Sequence, residues 1–222
     1  MRSFDEILDI AITRKGGIDA INEHLTAPKT VAELKAIAND RWLASMTKCI
    51  FQAGFNWKVV ESMWPGFEAA FDGFDTGRCA MLNEDDFDRL VSDKRIVRYG
   101  AKIRSVQENA VFINELSRDH GSAGAFFADW PSNDYANLLL FLKKRGARLG
   151  GKTGQYFLRF MGVDSFILSR DVTTRLIAEG IIDKTPTSQR DMQAVQNAFN
   201  AWQQQSNRSL NEISRILAMS ID

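Results

Sequence analysis

The sequence predicts an all-α protein, and three observations predict it. Apolar residues recur at helical spacing along most of the chain, alternating runs of the strand kind are nearly absent, and turn residues separate one helical run from the next. With 222 residues, the chain buries roughly 70% or more of its unfolded surface, enough for one packed domain or two closely joined lobes.

The elements follow in order. Phe4, Ile7, Leu8 and Ala11 share one helical face, as do Val31, Leu34, Ile37 and Ala38. An apolar-rich run over 42–60 is broken only by Gly54. Pro65-Gly66 marks a turn before 67–71, and Gly73-Phe74-Asp75 marks another. Asn83 is placed to cap a helix running through Leu90, and 96–116 reads as one long amphipathic helix. The main loop is expected over 121–133, around Trp130-Pro131. Helices resume over 134–144, 153–161, 172–179 and 189–204, and a last one lies near 210–218. The tail from 185 packs back on the rest, so residues 1–222 are read as a single helical domain with no internal repeat.

Composition narrows the function classes. Hydrophobic residues make up 45% and charged residues 25%, as in ordinary globular proteins. No stretch approaches the ~20 apolar residues of a membrane helix. The opening MRSFDEILDI carries acids where a secretory leader carries bases, so a cytoplasmic protein is expected. Cys49, Cys79, His24 and His120 show no metal-ligand spacing, and no metal or cofactor is expected. The formal net charge is zero, which argues against nucleic acid gripped over the whole surface. Local clusters matter more: Lys143, Lys144, Arg145, Arg148 and Lys152 form one, and Lys94, Arg95, Arg98, Lys102 and Arg104 another. They fit a phosphate-facing side or two solvated helix faces equally well.

The strongest local signal spans Leu142 to Gly154. A helix ends in bases, a turn with Gly150-Gly151 follows, and a second helix starts at Thr153. Glycine lets the backbone approach a partner closely, and a helix amino end offers free N–H groups to an anion. Lys143, Lys144, Arg148, Gly150, Gly151, Lys152 and Thr153 are therefore candidate contacts to DNA phosphate, which position a duplex without reading bases. The alternative is an ordinary helix–helix turn in which Thr153 only caps the next helix.

This hairpin resembles the helix-hairpin-helix of base-excision glycosylases, and the Leu-Lys-Lys-Arg-Gly lead-in resembles the DNA-3-methyladenine glycosylase I family. A second match lies upstream. Phe51-Gln52-Ala53-Gly54-Phe55-Asn56-Trp57 is similar to that family's glutamine-alanine-glycine-x-x-tryptophan segment. Trp64 to Phe71, Phe74-Asp75, Ile96, Lys102-Ile103 and Asn109 continue it. The resemblance covers about residues 40–162, with the hairpin at 134–162, and implies a two-lobed all-α helix-hairpin-helix glycosylase fold.

It also implies a site. Such an enzyme hydrolyses the N-glycosidic bond of alkylated purines in double-stranded DNA. Trp57, which matches the family tryptophan, is the expected aromatic platform for a positively charged base. Gln52 and Asn56 are expected at a base edge, and Phe51 and Phe55 in the core. Cys49 stands where the family carries a base-contacting glutamate, and nothing matches the cysteine–histidine zinc clip of the family's termini. The wider superfamily places an aspartate beyond the hairpin at the start of the next helix, where Asp171 falls. A carboxylate there can stabilise positive charge on the sugar; its plainer role is to cap the helix. A DNA-binding, damage-sensing protein that keeps the fold without the chemistry is the alternative function.

Overall fold

A computed structural model of the protein describes residues 1–221, and among them the regular elements are helices alone. In chain order they are α1 (Phe4–Lys15), α2 (Ile18–Asn22), α3 (Val31–Lys35), α4 (Asn39–Gln52) and α5 (Trp57–Ala70). Then come α6 (Thr76–Ala80), α7 (Glu84–Ser92), α8 (Gly100–His120), α9 (Ala123–Asp129) and α10 (Tyr135–Arg145). The last four are α11 (Lys152–Met161), α12 (Arg170–Ala178), α13 (Gln189–Ser206) and α14 (Leu210–Met219). None is long and apolar enough to cross a membrane. The all-α expectation holds.

The chain forms two compact units. One comprises Met1–Lys29, Pro131–Leu138 and Gly162–Asp222. Its helices start on polar caps: Ser3 and Glu6 form a capping box on α1, and Ser209 and Glu212 another on α14. Phe166 stacks on Phe199 at 4.4 Å, with Tyr135 edge-on to Phe166 at 4.7 Å. A partly buried network ties residue 2 to residue 220. Glu179 accepts from the Arg2 backbone N–H (2.8 Å) and guanidinium (2.7 Å) and from Arg175 (3.2 Å), while Arg175 donates to the Ser220 carbonyl (2.6 Å). Burial pushes the Glu179 carboxyl up, but these donors outweigh it and hold it below the ordinary carboxylate range.

The other unit comprises Thr30–Trp130 and Leu139–Met161. Phe51, Val60, Phe67, Phe71, Phe74, Leu90, Ile103 and Val106 form its buried core. Trp42, fully buried, stacks on Phe127 at 4.6 Å and meets Phe157 edge-on at 5.9 Å. This apolar assembly supports α4, α5 and α11, the three helices around the site.

The run over 42–60 breaks at Gly54, as expected, into two helices: Gly54 adopts φ +69° and Asn56 caps α5 through a bond from the Lys58 N–H (3.0 Å). Other elements depart from the sequence reading. Pro65-Gly66 lies inside α5 rather than in a turn. Proline there removes the bond to the carbonyl of Glu61, an exposed position where water can replace it. Segment 121–133 contains α9, capped by Ser122 and packed on α3, instead of being one loop. The short helices α2 and α6 have too few residues for periodicity to show.

Candidate active site

The site is built on the facing surfaces of α4 and α5. On α4, Arg41, Ser45, Lys48 and Gln52 recur at i, i+4, i+7 and i+11; on α5, Trp57, Glu61, Trp64 and Glu68 do the same. The two faces are matched in charge and run antiparallel. Arg41 binds Glu68 at 2.8 Å near one end, and Lys48 binds Glu61 at 2.8 Å further along. With Phe160 of α11 they enclose a cleft of about 330 Å³. A hollow of about 260 Å³ shares Cys49, Gln52 and Trp57 with it and is completed by Ala53, Gly54, Lys152, Thr153 and Tyr156.

Trp57 and Phe160 are the exposed aromatics of the cleft, at 43% and 53%. Trp57 is held edge-on by Tyr156 (5.4 Å) and Phe160 (6.1 Å). Gln52 is buried at 4%, with its amide 3.5 Å from Glu61. Cys49 is buried at 5%, and desolvation pushes its thiol up to about 12 against the opposing pull of Lys48. It is therefore neutral, and contributes shape without charge where the family glutamate would bring a carboxylate. Asn56 caps α5 through its side-chain oxygen and does not line the cleft or the hollow. Phe51 is core, as expected, whereas Phe55 is 45% exposed. Lys102 donates to the carbonyls of Phe51 (3.1 Å) and Ala53 (2.7 Å), fixing the end of α4 and the turn that precedes Trp57.

The hairpin joins α10 to α11. Gly151 takes φ +60°, the left-handed conformation that turns the chain into α11 at Lys152. Thr153 is the second residue of that helix, not its cap. A Cβ at Gly154 would collide with the Leu149 carbonyl, so the close return of the chain needs glycine there. Asn109, buried on α8, clamps the turn: its amide donates to the Ala147 carbonyl (3.0 Å) and accepts from the Ala147 N–H (2.9 Å). Lys143, Lys144, Arg148 and Lys152 are exposed, although Arg148 also donates to the Ala101 carbonyl (3.2 Å).

The second basic cluster is largely occupied internally. Arg95 pairs with Asp93, Arg104 with Glu84, and Lys102 with backbone carbonyls. Asp171 belongs to the other unit, as the second residue of α12. Ser169, not Asp171, caps this helix, accepting from the Val172 N–H (3.2 Å). Asp171 lines a groove with Arg14, Arg170, Thr174 and Arg175.

The structure thus brings Cys49, Gln52, Trp57, Lys152 and Thr153 together, and adds Glu61, Trp64 and Glu68, which the sequence reading missed. Their spacing on α5 was the available signal.

Comparison with known proteins places this geometry. The sequence profile of the methyladenine glycosylase family matches residues 38–139. The curated DNA-3-methyladenine glycosylase 1 of Escherichia coli is 37% identical over 59 residues, 27% of this chain. That segment spans about a third of the relative's length (32%). The solved 3-methyladenine DNA glycosylase I of Staphylococcus aureus superposes with a TM-score of 0.52 at 20% identity, covering 64% of this chain and 83% of that one. The 8-oxoguanine DNA glycosylase of Methanocaldococcus jannaschii gives a TM-score of 0.56 at 17% identity, covering 95% and 89%. The structural likenesses establish the all-α fold seen in these DNA glycosylases, and residues 38–139, a little under half of the chain, are similar to the methyladenine glycosylase family.

Proposed function

We propose that the protein is a DNA glycosylase that hydrolyses the N-glycosidic bond of alkylated purines in double-stranded DNA. One observation carries this reading: Lys152 and Thr153 of the basic hairpin line the same hollow as Trp57, Gln52 and Cys49. A backbone-binding element and a base-sized aromatic cleft therefore meet in one compact unit. The relatives' names, with 3-methyladenine glycosylases among them, support the same class.

In this reading Lys143, Lys144, Arg148, Lys152 and the first-turn N–H groups of α11 hold phosphate, which needs no base contact. Extracting a base costs a few kcal/mol, less for a damaged one. An alkylated purine carries positive charge, so its bond to deoxyribose is already weakened, and Trp57 favours such a ring by cation–π attraction of about 0.5–2 kcal/mol. Residues 1–222 act as one glycosylase domain, with Asp171 stabilising the developing positive charge on the sugar. Lys152 is assigned to phosphate, so the product is an abasic site with the strand intact.

A second reading, duplex binding without base release, is favoured by the neutral, buried thiol of Cys49. The variants Asp171→Asn and Trp57→Ala separate the roles. Asp171→Asn is expected to bind methylated duplex like the wild type and to release no base. Trp57→Ala is expected to lose preference for methylated over unmodified DNA. Undiminished base release by Asp171→Asn removes Asp171 from the chemistry.

A further inference from the structure

The cleft already contains a cation. The Lys48 ammonium lies 4.9 Å from the centre of the Trp64 ring and 2.8 Å from a Glu61 carboxylate oxygen. These are the two kinds of group that would receive a positively charged purine: an electron-rich face and an anion. The seat is fixed before any ligand arrives. Trp64 Nε1 donates to Glu68 (3.0 Å), Arg41 holds Glu68 (2.8 Å), and the indole stacks with Phe67 and Phe74 at 5.4 Å each. The second Glu61 oxygen lies 3.5 Å from the buried Gln52 amide.

Lys48 is the movable member. Its side chain is 29% exposed and that of Glu61 55%. A partly solvated pair of this kind is weakly held, and a lysine can carry its ammonium outward while its stem stays packed. With Cys49 neutral, Glu61 is the lining carboxylate that meets Gln52, and it stands one helical turn from Trp57.

We infer that Glu61 and Trp64 form the charge-reading seat for the alkylated base, and that Lys48 occupies this seat in the free protein as a resident competitor. The inference rests on the glycosylase reading above. A cationic base displaces Lys48, takes Glu61 and Trp64 for itself, and sends the ammonium to solvent. A neutral purine offers nothing in exchange for the ion pair and leaves Lys48 in place. Discrimination against undamaged bases thus comes from the displaced lysine as well as from attraction to the damaged one.

The test titrates two small probes, the fixed cation 3,9-dimethyladeninium and its neutral counterpart 9-methyladenine, into the full protein by calorimetry. The proteins are wild type, Lys48→Met, Lys48→Gln and Glu61→Gln, with circular dichroism confirming that each is folded. The Lys48 variants are expected to bind the cation about 5- to 30-fold more tightly than wild type does, and the neutral base within about twofold. Glu61→Gln is expected to weaken the cation by a similar factor. Equal effects on both probes, unchanged cation affinity in both Lys48 variants, or no binding of the cation by any of the four proteins overturns the inference. A wild type that releases no base from methylated DNA but shows the predicted probe ratios refutes the glycosylase reading and leaves the seat standing.

Discussion

Asn109 supplies a sharp test of how the site is held. It is fully buried on α8 and makes two reciprocal bonds to Ala147, at 3.0 and 2.9 Å, in the turn of the hairpin. Replacing it with alanine removes both bonds and leaves the amide N–H and carbonyl of Ala147 without their partner. A lost hydrogen bond costs about 1 kcal/mol net, and a buried group left unsatisfied about 1–3 kcal/mol. The turn is near enough to the surface for water to recover part of this, so Asn109→Ala is expected to destabilise by about 2–4 kcal/mol. Asn109→Asp keeps an acceptor for the Ala147 N–H but turns a carboxylate towards the carbonyl, and is expected to be no better. Denaturant unfolding with an unchanged slope measures the loss. Binding to unmodified duplex, measured on protein still folded, is expected to weaken in parallel because the hairpin no longer holds its shape. A stability change under about 0.5 kcal/mol together with unchanged DNA affinity refutes the clamp.

Other consequences are simpler. If Lys143 and Lys144 contact phosphate, Lys143→Ala with Lys144→Ala lowers the slope of log affinity against log salt by nearly two, whatever the base sequence; an unchanged slope places them off the DNA. Glu179 has a folded-state carboxyl held below its ordinary value of 4.5. Its stabilisation is therefore complete above that pH and is lost as pH falls through the folded value. Glu179→Gln, which leaves Arg175 buried without its counter-charge, is expected to cost about 3 kcal/mol at neutral pH and to flatten the acid limb. An unaltered acid limb contradicts the assignment. Because burial pushes the Cys49 thiol up to about 12, iodoacetamide at pH 8 is expected to label Cys49 only after unfolding, as mass spectrometry of the native protein would show. Rapid native labelling would mean that the cleft floor opens.

Much of this was legible in the chain. The long helices, the hairpin and the glutamine-alanine-glycine segment stand out because period and turn chemistry agree there. What escaped did so for physical reasons. A list of bases does not show pairing, so the cluster from Lys94 to Arg104 fitted a phosphate surface as well as a solvated face, although Arg95, Lys102 and Arg104 have internal partners. Helix starts were read imperfectly: Asn56 caps α5, a role not foreseen for it, and Ser169 rather than Asp171 caps α12. Pro65 signalled a turn, but an exposed helix tolerates it because solvent can satisfy the freed carbonyl. Glu61 and Glu68 lie beyond the family motif, which ends at Trp57, while the helical face that begins there continues for eleven more residues.

The most direct measurement is base release by the wild-type protein from duplex DNA treated with a methylating agent, resolved by chromatography and paired with a count of strand breaks. The account predicts free 3-methyladenine and abasic sites in equal number, with the strands intact until alkali is added. Tight, salt-sensitive binding to the same DNA with no base released would contradict it, and would leave a damage-binding protein on a glycosylase fold.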